Sequence, residues 1–335
     1  MPWYKNKKLI AIIIIILIII VIIPLASIRP IYKKDELNYG VTFSARYVRE
    51  MGLNWQDAYT AMLDDLQVRK LRLPAYWNEI EYKNGMYNFY DLDWQIEEAS
   101  KRNAEIILAV GGRLPRWPEC HFPEWAEDLI AEDREQEILD YIKTIVERYK
   151  ENSSIAFWQV ENEPFLAHFG ECPKLDKKFL DKEIALVRSL DDREIVITDS
   201  GELSLWVPAA SRADIFGTTM YRDVYSKFLN RYIHYPIPPG FFRFKQNMAE
   251  FLSMPKPEEM IVIELQAEPW GPKPYYLLTK EERERTMNLE KFKEILEYSR
   301  QAGFREFYLW GVEWWYWEKE VNGDASLWEE AKLIF

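Results

Sequence analysis

The sequence predicts an α/β protein of the (β/α)8 TIM-barrel class with an N-terminal transmembrane helix. Two observations predict the barrel. Short apolar runs alternate with longer amphipathic stretches, and this alternation occurs eight times. The transmembrane helix is predicted by 20 uncharged residues near the N-terminus. With 335 residues, 48% of them hydrophobic, the chain can bury a large core.

The uncharged segment comprises residues 9–28 and follows a short basic stretch. As a helix rising ~1.5 Å per residue it would be ~30 Å long, about the thickness of the bilayer hydrocarbon. We favour an uncleaved anchor over a cleaved signal peptide, because the isoleucine run is longer than a signal peptide needs. Residues 1–28 are therefore expected to be the membrane anchor or signal segment. Basic residues on both flanks, three lysines before the segment and an arginine and two lysines after it, leave its orientation in the membrane open. We expect the barrel to lie on the extracytoplasmic side.

The barrel is expected over residues 36–335, and its candidate strands are eight apolar runs. Helix-period patterns separate most of them. The fifth unit is the shortest and leaves room only for a short helix around residues 205–212. A doubly wound open sheet is the alternative, but it usually has a glycine-rich nucleotide loop, and "AVGGRLP" is not one. The candidate strands are residues 39–44, 69–74, 104–110, 155–161, 193–199, 214–221, 260–265 and 306–311.

Composition excludes several classes of protein. A net charge of −12 argues against a nucleic-acid partner, since nucleic-acid binding needs a basic surface. With three histidines, no HExxH and no CxxC, neither a metal site nor a cofactor is expected. The 14 tryptophans indicate either a large aromatic core or aromatic platforms along a cleft, because several lie in Pro- and Gly-rich segments.

Polar and aromatic residues follow the predicted strands, at the end of the barrel where active sites of this fold lie. They include two carboxylates, an amide, a phenol, arginines and indoles. This set suits hydrolysis of a glycoside, in which one carboxyl protonates the leaving oxygen and a second acts at the anomeric carbon. The residues are Arg72, Arg113, Trp117, His121, Asn162, Glu163, Tyr221, Glu264 and Trp310.

Two motifs carry a family resemblance, W-x-x-x-N-E-P at residues 158–164 and I-x-I-E-L at residues 261–265. They resemble the clan A retaining glycoside hydrolases, the superfamily of cellulase-, xylanase- and β-galactosidase-like barrels. The resemblance covers residues 36–335. The two motif glutamates are 101 residues apart, which corresponds to three βα units of ~34 residues in this barrel.

The resemblance implies a role for each matching residue. Glu163 would be the acid/base, which must keep a raised pKa, and Glu264 the nucleophile. Asn162 would bind the 2-hydroxyl of the sugar that is cleaved, and Arg72 and Tyr221 would hold the nucleophile in position.

Trp310 would form the platform beneath the sugar, although the resemblance does not separate it from Trp314. Trp117 and His121 are further candidates for substrate contact. Many relatives have a histidine directly on strand 3, whereas His121 comes eight residues after Arg113. That departure leaves the subfamily and the sugar open.

Strand alternation favours Glu264 over the nearby Glu268 as nucleophile. Ile261, Ile263 and Leu265 would face the helix layer, and Val262 and Glu264 would point into the barrel.

Glu268 lies past the predicted strand, where it could contact substrate or brace Arg113. Retention requires Glu163 and Glu264 to have carboxyl groups ~5–5.5 Å apart.

The two cysteines, Cys120 and Cys172, follow strands 3 and 4. Adjacent strand-end loops can bring Cα atoms within the ~4.4–6.8 Å that a disulfide needs. We therefore predict a Cys120–Cys172 bridge, which would favour an extracytoplasmic domain. Two unrelated buried thiols are the alternative.

The function predicted from the sequence is retaining hydrolysis of a β-linked glycoside or polysaccharide. Two other functions stay open. A transglycosylase on cell-surface glycans would share every catalytic residue, and an inactive, membrane-tethered barrel would only bind carbohydrate. The sequence specifies neither the sugar nor an endo or exo mode.

Overall fold

A computed structural model describes residues 31–166, 169–173 and 176–335. Eight parallel strands form a sheet that closes into a barrel, and two further strands form a separate hairpin. The barrel strands are β1 (Asn38–Thr42), β2 (Lys70–Pro74), β3 (Glu105–Val110), β4 (Ile155–Val160), β5 (Ile195–Asp199), β6 (Ile215–Met220), β9 (Glu259–Gln266) and β10 (Glu306–Trp310), and the hairpin is β7 (Asp223–Ser226) and β8 (Arg231–His234).

Helices connect the strands and form the outer layer. Several begin at a side-chain cap: Ser44, Asn54, Asp176 and Asn288 each accept a hydrogen bond from a backbone N–H of the first turn. The helices are α1 (Ala45–Glu50), α2 (Trp55–Asp64), α3 (Trp77–Ile80), α4 (Tyr90–Ser100), α5 (Glu124–Glu127), α6 (Ala131–Tyr149), α7 (Lys177–Leu190), α8 (Val207–Ala210), α9 (Pro239–Leu252), α10 (Lys280–Glu284), α11 (Leu289–Arg300), α12 (Val312–Val321) and α13 (Ser326–Ala331), with 3-10 turns at Lys34–Glu36 and Tyr275–Leu277.

Closure of the sheet confirms the TIM barrel and excludes the doubly wound alternative. The strand order around the ring is β1-β10-β9-β6-β5-β4-β3-β2, and β1 pairs in parallel with β10 from Asn38↔Glu306 to Thr42↔Trp310. Each predicted apolar run overlaps one barrel strand, and the short helix of the fifth unit is α8. The hairpin β7–β8, inserted after β6, was missed because its four-residue strands are too short to show a period.

The predicted orientation of β9 was wrong for three residues, Ile261, Val262 and Ile263. Ile261 and Ile263 pack inside the barrel, whereas Val262 belongs to the outer core beneath the helices. Pairing with β6 runs Thr218↔Val262 and then Thr219↔Glu264, so one residue of β9 is skipped. Such a β-bulge changes the alternation locally, which lets Glu264 face the interior directly after Ile263.

The predicted disulfide is confirmed. Cys120 and Cys172 are bonded, with their Cα atoms 5.3 Å apart. The bond joins the loop after β3 to the loop after β4, next to the predicted site.

The predicted membrane helix at residues 9–28 lies outside the residues that the structure describes. Among residues 31–166, 169–173 and 176–335, no helix is both long and apolar enough to cross a bilayer.

Candidate active site

The candidate site lies at the carboxyl ends of the barrel strands and is organised around Arg72. This fully buried side chain donates three hydrogen bonds to side chains from two other strand ends. Nη1 donates to Glu264 Oε1 at 2.7 Å, Nε to Gln159 Oε1 at 2.7 Å, and Nη2 to Asn162 Oδ1 at 2.5 Å. One guanidinium therefore orients a carboxylate and two amides, which the planar fork of arginine suits.

The second oxygen of Glu264 is also held. The Tyr221 hydroxyl, just after β6, donates to Glu264 Oε2 at 2.9 Å. Burial first, and then the charge of Glu264, raises the pKa of Tyr221 well above its usual value, so the phenol keeps its proton and remains a donor. Both oxygens of Glu264 thus accept a hydrogen bond from a buried donor.

Glu163 lies just beyond β4, and its environment is different. Its backbone has a left-handed φ of +42°, and its N–H donates to Thr198 Oγ1 at 2.8 Å. Its carboxyl is buried. Burial first, and then the charges of Glu264 and Glu119, raises the pKa of Glu163 well above its usual value. A raised pKa favours the protonated form of this carboxyl.

Glu161 anchors the loop after β3 against the end of β4. Its carboxylate accepts the backbone N–H groups of Gly112 and Arg113, each at 2.7 Å. Gly111 has a φ of +129°, and a Cβ on it would stand 2.4 Å from Glu161 Oε1. Only glycine fits there.

Glu119 is a site residue that sequence reasoning missed. It follows β3 in the disulfide-bonded loop, and its Oε2 accepts a hydrogen bond from Asn162 Nδ2 at 2.9 Å. Arg113 Nε lies 3.8 Å from the same oxygen. Burial raises the pKa of Glu119 to about 7. Its position beside Cys120 is the one sequence signal that could have identified it, because the disulfide holds that loop over the site.

Arg116 is the second residue that was missed. Its Nη1 donates to Glu268 Oε1 at 2.5 Å, and its Nη2 donates to Glu313 Oε2 at 2.7 Å. Its guanidinium lies 4.1 Å from the centroid of the Trp310 ring, and the indole N–H of Trp310 donates to Glu268 Oε1 at 2.9 Å. Glu268 therefore braces Arg116, and the expectation that it braces Arg113 was wrong. Burial raises the pKa of Glu268 to about 7, while the charge of Arg116 acts to lower it.

The two candidate platform tryptophans are separated by their contacts. Trp310 lies at the end of β10 beside Glu268, whereas Trp314 is in α12 and donates its indole N–H to Glu318. Trp310 is therefore the one that borders the mouth.

The structure does not place His121 in the cleft. The ring is 1% exposed, with Nδ1 2.9 Å from Arg46 Nη1 and Nε2 3.1 Å from the backbone oxygen of Arg116. Burial first, and then Arg46, lowers the pKa of His121 to about 3. His121 therefore stabilises the loop after β3 through its contact with the backbone of Arg116.

Two further candidates border the cleft. Trp117 is 49% exposed, and the Lys227 ammonium lies 4.3 Å from its ring centroid. Arg113 donates to the backbone oxygens of Leu166 and Phe169, both at 3.0 Å, and so holds the loop after β4 in place.

Comparison with known proteins gives one family match and several relatives. The family model described as Glycosyl hydrolase family 10 matches residues 57–176. The β-galactosidase BgaA of Clostridium cellulovorans is 26% identical over 167 residues, which is 43% of this chain and 25% of that protein. The β-galactosidase LacA of Lactobacillus acidophilus is 27% identical over 133 residues, or 34% of this chain and 20% of that one. The alignments thus span a quarter or less of these relatives.

Solved structures share the fold over most of the described chain. An endo-β-1,4-xylanase from Gloeophyllum trabeum has a TM-score of 0.54 at 17% identity, covering 82% of this chain and 84% of that one. The exo-β-1,4-mannosidase Op5Man5 from an Opitutaceae bacterium has a TM-score of 0.55 at 13% identity, covering 82% and 51%. In sequence over residues 57–176 and in fold over most of its length, the chain resembles the clan A glycoside hydrolases.

Proposed function

We propose that this protein is a retaining glycoside hydrolase that cleaves a β-linked oligo- or polysaccharide by double displacement. The observation that carries the proposal is the contrast between two buried glutamates at one barrel mouth. Glu264 accepts hydrogen bonds from Arg72 and Tyr221, whereas the pKa of Glu163 is raised well above its usual value. Retaining glycosidases need one carboxylate as nucleophile and one carboxylic acid as proton donor.

In the first step, Glu264 attacks the anomeric carbon, and Glu163 gives its proton to the oxygen of the breaking glycosidic bond. The leaving sugar departs as an alcohol, and a covalent glycosyl ester forms on Glu264. The fixed donors Arg72 and Tyr221 keep the attacking carboxylate aimed, since it would otherwise rotate.

In the second step, Glu163 is ionised and removes a proton from water. The water oxygen attacks the anomeric carbon, and Glu264 leaves as a carboxylate. Two inversions at one carbon preserve the β configuration. Asn162 is held by Arg72 and Glu119 beside the nucleophile, where its amide can contact a hydroxyl next to the anomeric carbon.

The test is hydrolysis of a panel of aryl β-glycosides, including galactoside, xyloside, mannoside and glucoside. The β-anomer should appear first in a proton NMR time course, and a 2-fluoro sugar inactivator should label Glu264. An α-anomer as first product, or label on Glu268, would contradict the assignment. Sugar binding without turnover would indicate a binding protein, and transfer to added sugar in place of water would indicate a transglycosylase.

We also propose that residues 1–28 anchor the barrel to a membrane with the catalytic domain on the extracytoplasmic side. The uncharged segment at residues 9–28 supports the anchor, and the Cys120–Cys172 bond favours an oxidising compartment. Expression of residues 29–335 should release an active barrel into the soluble fraction. Failure of that truncated chain to fold would mean that the segment belongs to the folded domain.

A further inference from the structure

We propose that the site works from the non-reducing end of its substrate and releases one sugar at a time. This inference rests on the proposed hydrolase and specifies its mode of action. Its basis is the loop at residues 111–121, whose Arg116 forms ion pairs across one side of the barrel mouth.

The two sides of the mouth follow from the positions of the carboxyls. Glu163 protonates the leaving oxygen, so the leaving part of the substrate lies toward the end of β4. In the ring order, β10 stands opposite β4, four strands away in either direction. The sugar that becomes bound to Glu264, and anything attached to its non-reducing end, therefore extends toward β10 and β1.

That side of the mouth is occupied by Arg116 and its partners. Although Arg116 comes from the loop after β3, it bonds Glu268 beyond β9 and Glu313 in the helix after β10. Glu313 Oε1 in turn accepts the backbone N–H of Ser44, just after β1, at 2.8 Å. One ion-pair network thus joins the ends of three neighbouring strands, and we call it the Arg116 wall.

The Arg116 wall is buried and firmly supported. The guanidinium lies between two rings, 4.1 Å from the centroid of Trp310 and 4.4 Å from that of Tyr47. Arg116 is 5% exposed and Glu313 is 1% exposed. A glycan continuing toward β10 would have to displace Arg116 and leave buried carboxylates without their partner, which is strongly unfavourable.

The loop that carries Arg116 is held at several points. The Tyr76 hydroxyl donates to the backbone oxygen of Pro115 at 2.9 Å. The backbone N–H of Leu114 donates to the backbone oxygen of Glu119 at 2.7 Å. The Cys120–Cys172 bond fixes its far end. These bonds hold the loop, and with it the Arg116 wall, in a fixed position at the barrel mouth.

The wall also offers polar atoms suited to the end of a sugar chain. Glu268 Oε2 and Arg116 Nε are buried, and neither has a hydrogen-bond partner among the residues that the structure describes. A terminal sugar has free hydroxyls at its non-reducing end that can satisfy an acceptor and a donor, whereas an internal sugar carries a further residue there.

On the leaving side, aromatic rings cluster around Phe169, which follows β4. Trp270 packs against Phe169 and Tyr221 at centroid distances of 5.5 and 5.1 Å, and Trp117 is 49% exposed nearby, 6.0 Å from Phe169. Exposed indole next to a ring cluster is suited to stacking on leaving sugars. The leaving side therefore accommodates a chain, and the Arg116 wall accommodates one sugar.

The test uses the full-length protein and a β-linked hexasaccharide of the sugar that the aryl-glycoside panel selects, tagged fluorescently at its reducing end. Early in the reaction, free monosaccharide and the tagged pentasaccharide should be the only products. A second hexasaccharide with methylated hydroxyls on its non-reducing terminal sugar should be cleaved at least 100-fold more slowly. Tagged di- or trisaccharide at the earliest times, or rapid cleavage of the methylated chain, would overturn the inference.

Arg116→Ala should open the wall and allow internal cleavage, so that shorter tagged fragments appear. Lys227→Ala, a change beside Trp117 and outside the Arg116 wall, is the matched control and should leave the product pattern unchanged. The wild-type product pattern decides the question even if Arg116→Ala does not fold. Aryl-glycoside hydrolysis together with internal cuts refutes this inference alone, whereas no hydrolysis of any aryl β-glycoside refutes the proposed function and this inference together.

Discussion

Glu163 and Glu264 are the same residue type at the same barrel mouth, yet their surroundings differ. Glu264 accepts hydrogen bonds from an arginine and a tyrosine. Glu163 is equally buried, but after burial itself the largest influences on its pKa are the charges of two other glutamates, Glu264 and Glu119. The environment of each glutamate, and not the residue type, therefore separates the candidate nucleophile from the candidate acid.

The largest effect is expected from Glu264→Ala. Removing the attacking carboxylate should lower kcat on every aryl glycoside by on the order of 10⁴-fold or more. Steady-state kinetics measures this loss, and circular dichroism checks that the variant is folded. If Glu264→Ala kept a tenth of the activity while Glu268→Ala lost all of it, the two glutamates would have to exchange roles.

The next effect is that of Glu163→Ala, and it should depend on the leaving group. Loss of a general acid costs about 10²–10⁴-fold, and the cost falls when the leaving group needs no protonation. Bond cleavage in a dinitrophenyl glycoside should therefore be much less impaired than in a methylumbelliferyl glycoside, as pre-steady-state kinetics can measure. An equal loss on both substrates would mean that Glu163 does not act as a proton donor.

Thermal stability should change in opposite directions when the two carboxyls are made neutral. Glu264→Gln leaves the buried Arg72 without its charged partner and should destabilise the fold by about 1–3 kcal/mol. Glu163→Gln removes a group whose folded pKa lies above its ordinary value of 4.5.

A raised folded pKa makes the stability contributed by Glu163 largest below the ordinary pKa, and that stability is lost as pH rises through the folded pKa. Glu163→Gln should therefore raise the melting temperature relative to wild type at pH 8, with a smaller difference at pH 5. Melting curves of both variants at both pH values test this. A melting temperature that Glu163→Gln lowers at pH 8 would contradict the raised pKa.

The smallest effect is expected from Glu119→Gln. The amide can still accept from Asn162, but a negative charge near Glu163 is lost. The pKa of Glu163 should fall, so the basic limb of the kcat/KM profile should move to lower pH by up to about one unit. Glu171→Gln, an exposed change in the neighbouring loop, is the control and should leave the profile in place.

Eight parallel strands could be predicted from the sequence, because eight apolar runs separated by helical stretches can satisfy their backbone only in a closed or covered sheet. Closure of that sheet into a barrel, in place of a doubly wound sheet, is a property of the folded structure. Strand order also brought Glu163 and Glu264 to one end, since the carboxyl ends of parallel strands meet there. The disulfide was predictable for the same reason, because adjacent strand-end loops place Cys120 near Cys172.

The side-chain orientation along β9 and the contacts of the loop after β3 could not be predicted, because both depend on pairing and packing across the barrel. Alternation assumes regular pairing, and the skipped residue near Ile263 arises from the register against β6, which no local pattern encodes. His121 turned inward, and Arg116 reached Glu268 across the mouth, 152 positions along the chain. Such contacts depend on where a folded loop lies, because local spacing carries no information about side chains that meet only after the ring has closed.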